Sequence, residues 1–127
     1  MGKIFENLIN IKGTIVPVIP MFSDTSLSVN PKYENLPLSK QVEIIATMLK
    51  REDYNQVVIL KEILDNGLAI LNVARMFKDE DVEVVAVCCM GASEMAYDTV
   101  MRNLKYGVGD GEKYLNDLLG SDHKKLH

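Results

Sequence analysis

The feature that most constrains the fold is the apolar run from Val82 to Cys89, which gives way at once to Met90-Gly91-Ala92-Ser93-Glu94. Its valines are β-branched and only Glu83 is polar, which is typical of a strand buried on both faces of a parallel sheet. Ser93 is well suited to cap a following helix. The stretch therefore predicts a strand, a tight loop and a helix, with two adjacent cysteines near the helix N-terminus.

Strand-like and helix-like segments alternate along the rest of the chain. The pattern predicts strands at 14–22 and 57–60, and helices at 39–51 (capped by Ser39), at 66–77 and from Ser93 to a stop at Gly107. Pro17 and Pro20 lack amide protons, so the first of these strands is expected to be an edge strand at best. We therefore expect an α/β domain of two or three layers, with a short parallel or mixed sheet and about four to five helices.

An all-α helical bundle is the alternative reading of the same pattern. Asp53 and Gln56 have the spacing of a capping box, and Asn66-Gly67 is a natural end for the helix that this box would begin. The apolar segment between them has no polar side and suits a buried strand equally well. Both architectures therefore remain open from the sequence.

The length of 127 residues is that of one ordinary globular domain, which we place at 1–120. It includes a long loop at 23–37 and is followed by a polar tail at 121–127. Two further short helices are predicted, one over 3–9 and one from Asp110 that buries Leu115, Leu118 and Leu119.

Composition and charge exclude several classes of function. The net charge is −4, and the scattered lysines and arginines do not form the basic patch that nucleic-acid binding needs. No apolar segment has the roughly 18 residues of a membrane span, and the first residues lack the order of a secretory signal. We therefore expect a cytoplasmic protein that binds neither nucleic acid nor membrane. His123 and His127 are the only histidines, so we expect no metal site and no cofactor.

The strand-to-helix loop is the candidate site. Backbone amides of Gly91, Ala92 and Ser93 would bind a small anion or stabilise a thiolate at Cys88 or Cys89, because amides are exposed at a helix N-terminus. Neighbouring residues on a strand point to opposite faces, so the sequence does not decide which cysteine would act. The candidate assistants of this thiolate chemistry are Lys61, Tyr97 and Arg102, although the sequence does not place them near the loop.

Two short stretches resemble known families. Cys88 to Ser93 is similar to the B components of sugar phosphotransferase systems, in which a phosphorylatable cysteine ends a strand before a loop with glycine and serine. The low-molecular-weight tyrosine phosphatases need an arginine six positions after the cysteine, where this chain has Glu94 or Met95. The segment 13–22 is similar to the opening strand of Schiff-base-forming lyases, but their (β/α)₈ barrel needs about twice this length.

Two functions follow as hypotheses. The first is a small binding or regulatory module that acts without catalysis, through a protein partner or self-association, using the loop at 23–37 and the helix around Met90, Met95 and Met101. The alternative is a thiol-dependent enzyme or carrier with Cys88 or Cys89 as nucleophile. The absence of a core histidine and of a nucleotide motif makes us expect a protein that is not an enzyme.

Overall fold

The computed structural model describes residues 7–27 and 31–110, in which a five-stranded sheet carries three α-helices. The sheet strands are β1 (Leu8–Ile11), β2 (Thr14–Pro20), β3 (Gln56–Leu60), β5 (Glu83–Cys89) and β7 (Gly107–Asp110). The helices are α1 (Leu38–Arg51), α2 (Gly67–Asp79) and α3 (Glu94–Asn103). Two short strands, β4 (Ile63–Leu64) and β6 (Gly91–Ala92), pair separately, and Pro31–Tyr33 forms a 3₁₀ turn. This mixed content confirms the α/β class.

The strands lie in the order β1-β2-β3-β5-β7. β1 is antiparallel to β2, and the other four strands are parallel to one another. Each parallel strand pairs with the next one along the chain, with one helix between them. Because such crossovers are right-handed, successive helices fall on the same face of the sheet. That face packs against Val42, Ile70 and Val100, one from each helix, in the larger core cluster.

The all-α alternative is wrong for this chain, and Gly67 shows why the sequence allowed it. Gly67 is the first residue of α2, not the end of a preceding helix, and Asn66 caps it by accepting from the amides of Leu68 and Ala69. The helix predicted over 66–77 is thus confirmed within two residues. The strands predicted at 57–60 and over the run ending at Cys89 are confirmed as β3 and β5.

The prediction that the proline-bearing segment is an edge strand is wrong. β2 is paired on both sides, but it changes partners along its length. Residues 14–17 pair with β1, and residues 18–20 pair with β3. Pro17 therefore precedes the first residue that pairs with β3, and Pro20 lies beyond those that pair with β1. Neither position needs an amide proton for the adjacent ladder.

A bulge in β5 decides which way its side chains point. Val57 pairs with Val84, but Val58 pairs with Ala86, so Val85 is an extra residue in β5. Val85 and Ala86 consequently both join the core cluster on the face away from the helices. The alternation resumes after them, and it places the side chains of the last two strand residues on opposite faces.

The sheet is curled, which brings its two ends together. Nζ of Lys12, in the turn between β1 and β2, lies 5.6 Å from the ring centroid of Tyr106, which enters β7 at the other end of the strand order. Ile9 and Ile11 of β1 and Tyr106 pack against one core cluster on the helix-free face. The curl thus encloses that face with side chains from both ends of the sheet.

Three local predictions need correction. α1 begins at Leu38 with Pro37 at its cap and no side-chain cap bond, so Ser39 does not cap it. Leu8 and Ile9 belong to β1, not to a helix, since β1 and β2 form a hairpin. Gly107 does not end α3, because this helix ends at Asn103. Gly107 is instead the first residue of β7, with a φ of 67°. The helix predicted after Asp110 and the tail at 121–127 lie outside the described residues.

Candidate functional site: the carboxyl edge of the sheet

Three segments meet at the carboxyl edge because β2, β3 and β5 are parallel. They are residues 21–27 after β2, 61–66 after β3 and 90–95 after β5. Backbone hydrogen bonds join each segment to the neighbouring strand end or segment: Met21 N–H donates to Leu60 O (2.8 Å), Lys61 N–H to Cys88 O (2.9 Å) and Met90 N–H to Glu62 O (2.9 Å). In open parallel sheets, ligands collect beyond this edge. We therefore call these three segments the carboxyl edge.

The two candidate nucleophiles lie at the end of β5, but on opposite faces. Cys88 belongs to the cluster on the helix-free face, where a Cβ on Gly109 of β7 would lie 3.5 Å from its Sγ. Cys89 belongs to the cluster under the helices. Both side chains are buried, and they form no disulfide. Burial raises the pKa of the Cys89 thiol, which disfavours its thiolate. A nucleophilic role for either cysteine stays a prediction.

The candidate anion-binding amides are engaged in a second, short parallel ladder. β6 pairs with β4, so that the Gly91 amide donates to Glu62 O (3.4 Å) and the Ser93 amide to Leu64 O (2.9 Å). Ala92 lies between them with an exposed side chain. Ser93 is the N-cap of α3, as the sequence indicates, and its Oγ accepts from Ala96 N–H (3.2 Å). Anion binding at these three residues likewise stays a prediction.

A cleft of about 410 Å³ opens between the ends of β2 and β3. It is lined by Pro20, Met21, Phe22, Leu60, Lys61, Glu62, Ile63 and Asp65. Five of these eight residues are apolar, and the three charged ones are Lys61, Glu62 and Asp65. Binding sites combine apolar walls with placed polar groups, and this cleft contains both.

Lys61 is the one assistant that the structure brings to this edge. Its side chain is only 10 % exposed, and its Nζ lies 3.5 Å from Oδ1 of Asp24 in the segment after β2. Oδ2 of the same carboxylate accepts from Nδ2 of Asn66, the N-cap of α2 (3.2 Å). Sequence reasoning named Lys61 without placing it. The usable signal was a lysine directly after a buried parallel strand, which must lie at the carboxyl edge.

The other two assistants lie on α3, away from the cleft lining. Tyr97 is exposed, and Arg102 is in the last turn of the helix, toward the amino edge of the sheet. The structure therefore groups Lys61 with Asp24 and Asn66, and groups neither Tyr97 nor Arg102 with them.

Gln41 fixes the first part of the loop predicted at 23–37. This α1 side chain is 1 % exposed, and its Oε1 accepts from Leu27 N–H (2.9 Å). Its Nε2 donates to the carbonyls of Thr25 (3.1 Å) and Leu36 (2.9 Å). The segment after β2 is thus held from α1 by Gln41 and from β3 by Lys61. No local sequence pattern distinguishes this glutamine from an exposed one.

Exposed apolar side chains gather at the carboxyl edge. Phe22 is 64 % exposed, Ile63 54 %, Met90 53 % and Met95 81 %. Phe22 and Ile63 line the same cleft, and Ile63 Cδ1 lies 3.5 Å from where a Cβ on Gly91 would be. Leu68, in the first turn of α2, is also exposed. Several exposed apolar side chains at one edge of a sheet make that edge a candidate contact surface.

A larger groove of about 800 Å³ lies at the opposite end of the sheet. It is lined by residues at the starts of β3 and β5 and by the later turns of α2, among them Arg75, Lys78, Asp81 and Glu83. Ligands of parallel sheets bind at the other edge. The carboxyl edge is therefore the stronger candidate despite its smaller cleft.

In the described ranges 7–27 and 31–110, no group of three or more His, Cys, Asp or Glu side chains is placed to hold a metal ion. Within the same ranges, no helix combines the length and apolar character needed to cross a membrane.

Comparison of the chain with protein-family models, with curated proteins and with solved structures found no match in any of the three.

Proposed function

We propose that this chain is a protein-binding module that acts without catalysis and contacts its partner through the carboxyl edge of the sheet. The observation that carries the proposal is the grouping of Phe22, Ile63, Met90 and Met95, all more than half exposed, on three segments joined by backbone hydrogen bonds. Exposed apolar surface is costly in water, and covering it with a partner recovers that cost.

The architecture suits a contact surface. Each segment is anchored to a buried parallel strand, and the segment after β2 is also held by the Gln41 and Lys61 side chains. A surface held in place loses little conformational entropy on binding. The methionines of this surface can adapt to the shape of a partner, because a methionine side chain has three rotatable bonds and a polarisable sulfur.

The test compares two variants that each lose exposed apolar groups. The double variant F22S/I63S changes the carboxyl edge, whereas I15S changes an exposed isoleucine at the amino end of β2. Both are examined by light scattering after size exclusion, to detect self-association, and by capture of partners from a lysate of the native host. We expect the wild type and I15S to retain the same partner or dimer and F22S/I63S to lose it. Equal retention by all three, or a monomer that retains nothing, would refute the proposal.

A further inference from the structure

The carboxyl edge has an excess of negative charge as well as an apolar surface. In its three segments, the charged residues are four acids and one base: Asp24, Glu62, Asp65, Glu94 and Lys61. All four acidic residues are exposed. Lys61 is paired with Asp24, so these two charges largely offset each other, and Glu62, Asp65 and Glu94 give the surface its negative sign.

The acids lie close to the apolar residues along the chain. Glu62 directly precedes Ile63 and Asp65 follows it by two positions on the segment after β3, and Glu94 directly precedes Met95 on the segment after β5. Asp65 and Glu94 also stand at the N-terminal ends of α2 and α3, where the helix dipole favours a carboxylate. The side chains of Asn66 and Ser93 already cap these helices. Neither helix end therefore needs an outside anion.

From this arrangement we infer that the partner is a cationic amphipathic protein segment, with apolar side chains on one face and lysines or arginines beside them. Its apolar face covers Phe22, Ile63 and Met90. Its basic groups lie near the neighbouring carboxylates. Complementary charge at the rim of an apolar contact accelerates association and selects among partners. The inference rests on the proposed function and adds the chemistry of the partner.

The test uses two synthetic helical peptides of 14 residues that share one leucine face. One has lysine at every polar position and the other has glutamate. Binding of each fluorescently labelled peptide to the full chain is followed by anisotropy at low and at high salt. We expect the Leu/Lys peptide to bind, to weaken as salt rises and to bind at least about tenfold more tightly than the Leu/Glu peptide.

Variants of the chain locate the contact. We expect F22S/I63S, and separately E62Q/E94Q, to weaken the Leu/Lys peptide about tenfold each. The matched controls I15S and E83Q change exposed residues near the amino edge, and we expect them to bind like the wild type. Circular dichroism of each variant confirms that it is folded before its affinity is used.

The inference is wrong if neither peptide binds, if both bind equally, or if the amino-edge controls lose as much affinity as the carboxyl-edge variants. These failures are separable from failure of the proposed function. If a natural partner or dimer is lost only in F22S/I63S while the Leu/Lys peptide does not bind, the contact surface stands and the cationic partner is refuted. If, in addition, all variants retain the natural partner or dimer equally, both the contact surface and the cationic partner are refuted.

Discussion

Nζ of Lys61 lies 3.5 Å from Oδ1 of Asp24, and this ion pair joins the end of β3 to the segment that follows β2. The two side chains differ in their access to water, since Lys61 is 10 % exposed and Asp24 is 47 % exposed. Removal of the carboxylate would therefore leave a buried ammonium group without its partner, which costs more than the loss of a surface ion pair.

We expect D24A to lower the free energy of unfolding by about 1–2 kcal/mol, a value reduced for the half-exposed position of Asp24. K61M alone removes the buried charge and keeps the apolar stem, so D24A/K61M should regain most of the loss. Urea unfolding of D24A, K61M and D24A/K61M measures these changes in the free energy of unfolding. If the double variant is as unstable as the sum of the single ones, the ion pair does not explain the effect.

Gln41 should be hard to replace, because its side chain holds three backbone groups of the loop. Q41L has a similar volume but leaves the buried amide of Leu27 without an acceptor. We expect a loss of about 2–3 kcal/mol. K40A, at the exposed neighbouring position on α1, should change stability by no more than about 0.5 kcal/mol. Chemical denaturation measures the free energy of unfolding of both variants. If Q41L loses as little stability as K40A, the Gln41 side chain does not anchor the loop.

Gly67 allows α2 and α3 to approach closely. A Cβ there would lie 2.9 Å from Cβ of Thr99 and 3.3 Å from Cα of Ala96. We expect G67A to destabilise the protein by about 1–3 kcal/mol, although alanine normally favours a helix. G91A is the control, because its Cβ would meet only Ile63 Cδ1, at 3.5 Å. Thermal unfolding of G67A at or above the wild-type stability would contradict this packing.

The cysteines should be inert in the folded protein. Both are buried, and we expect iodoacetamide at pH 7 to modify Cys88 and Cys89 only after denaturant is added. Mass spectrometry reads the two sites separately. Rapid modification of either one in the folded state would favour the thiol-dependent enzyme or carrier over the binding module.

Burial also gives Cys89 a pH dependence. Its pKa is raised in the folded state, so the unfolded chain loses this proton first as the pH rises. Stability is therefore unaffected by this group well below the pKa of an exposed thiol, about 8.5, and falls as the pH rises through and beyond that value. We expect C89A to show a smaller loss of stability than the wild type between about pH 8 and 9.5. If the free energy of unfolding, measured in urea, falls equally with pH in C89A and in the wild type, Cys89 contributes nothing to the pH dependence.

The parallel strands and their helices were predictable because their signals are local. Val57 to Leu60 is uniformly apolar, as a strand covered on both faces must be, and Asn66 and Ser93 are good helix caps next to apolar periodicity. The β1–β2 hairpin was missed, although Lys12-Gly13 lies between two β-branched segments. Both residues have positive φ there, 51° and 91°, as a tight hairpin turn requires.

Other features depend on contacts between distant segments. The bulge at Val85 exists only relative to β3, and it assigns Cys88 and Cys89 to their faces. The pairing of β4 with β6, which engages the amides of Gly91 and Ser93, joins dipeptides 28 positions apart in register. Neither can be read from local periodicity. The carboxyl edge could be located from the sequence, but its apolar and acidic surface needed the spatial proximity of three loops.

Contact between the carboxyl edge and a protein partner can be detected by site-specific photo-crosslinking in the native host. The photoreactive amino acid p-benzoylphenylalanine replaces Phe22 in one variant, Ile63 in a second and Ile15 in a third as control. We expect one and the same adduct, to a partner or a second copy, at positions 22 and 63 and none at position 15. Adducts at position 15 alone, or at none of the three, would contradict this contact.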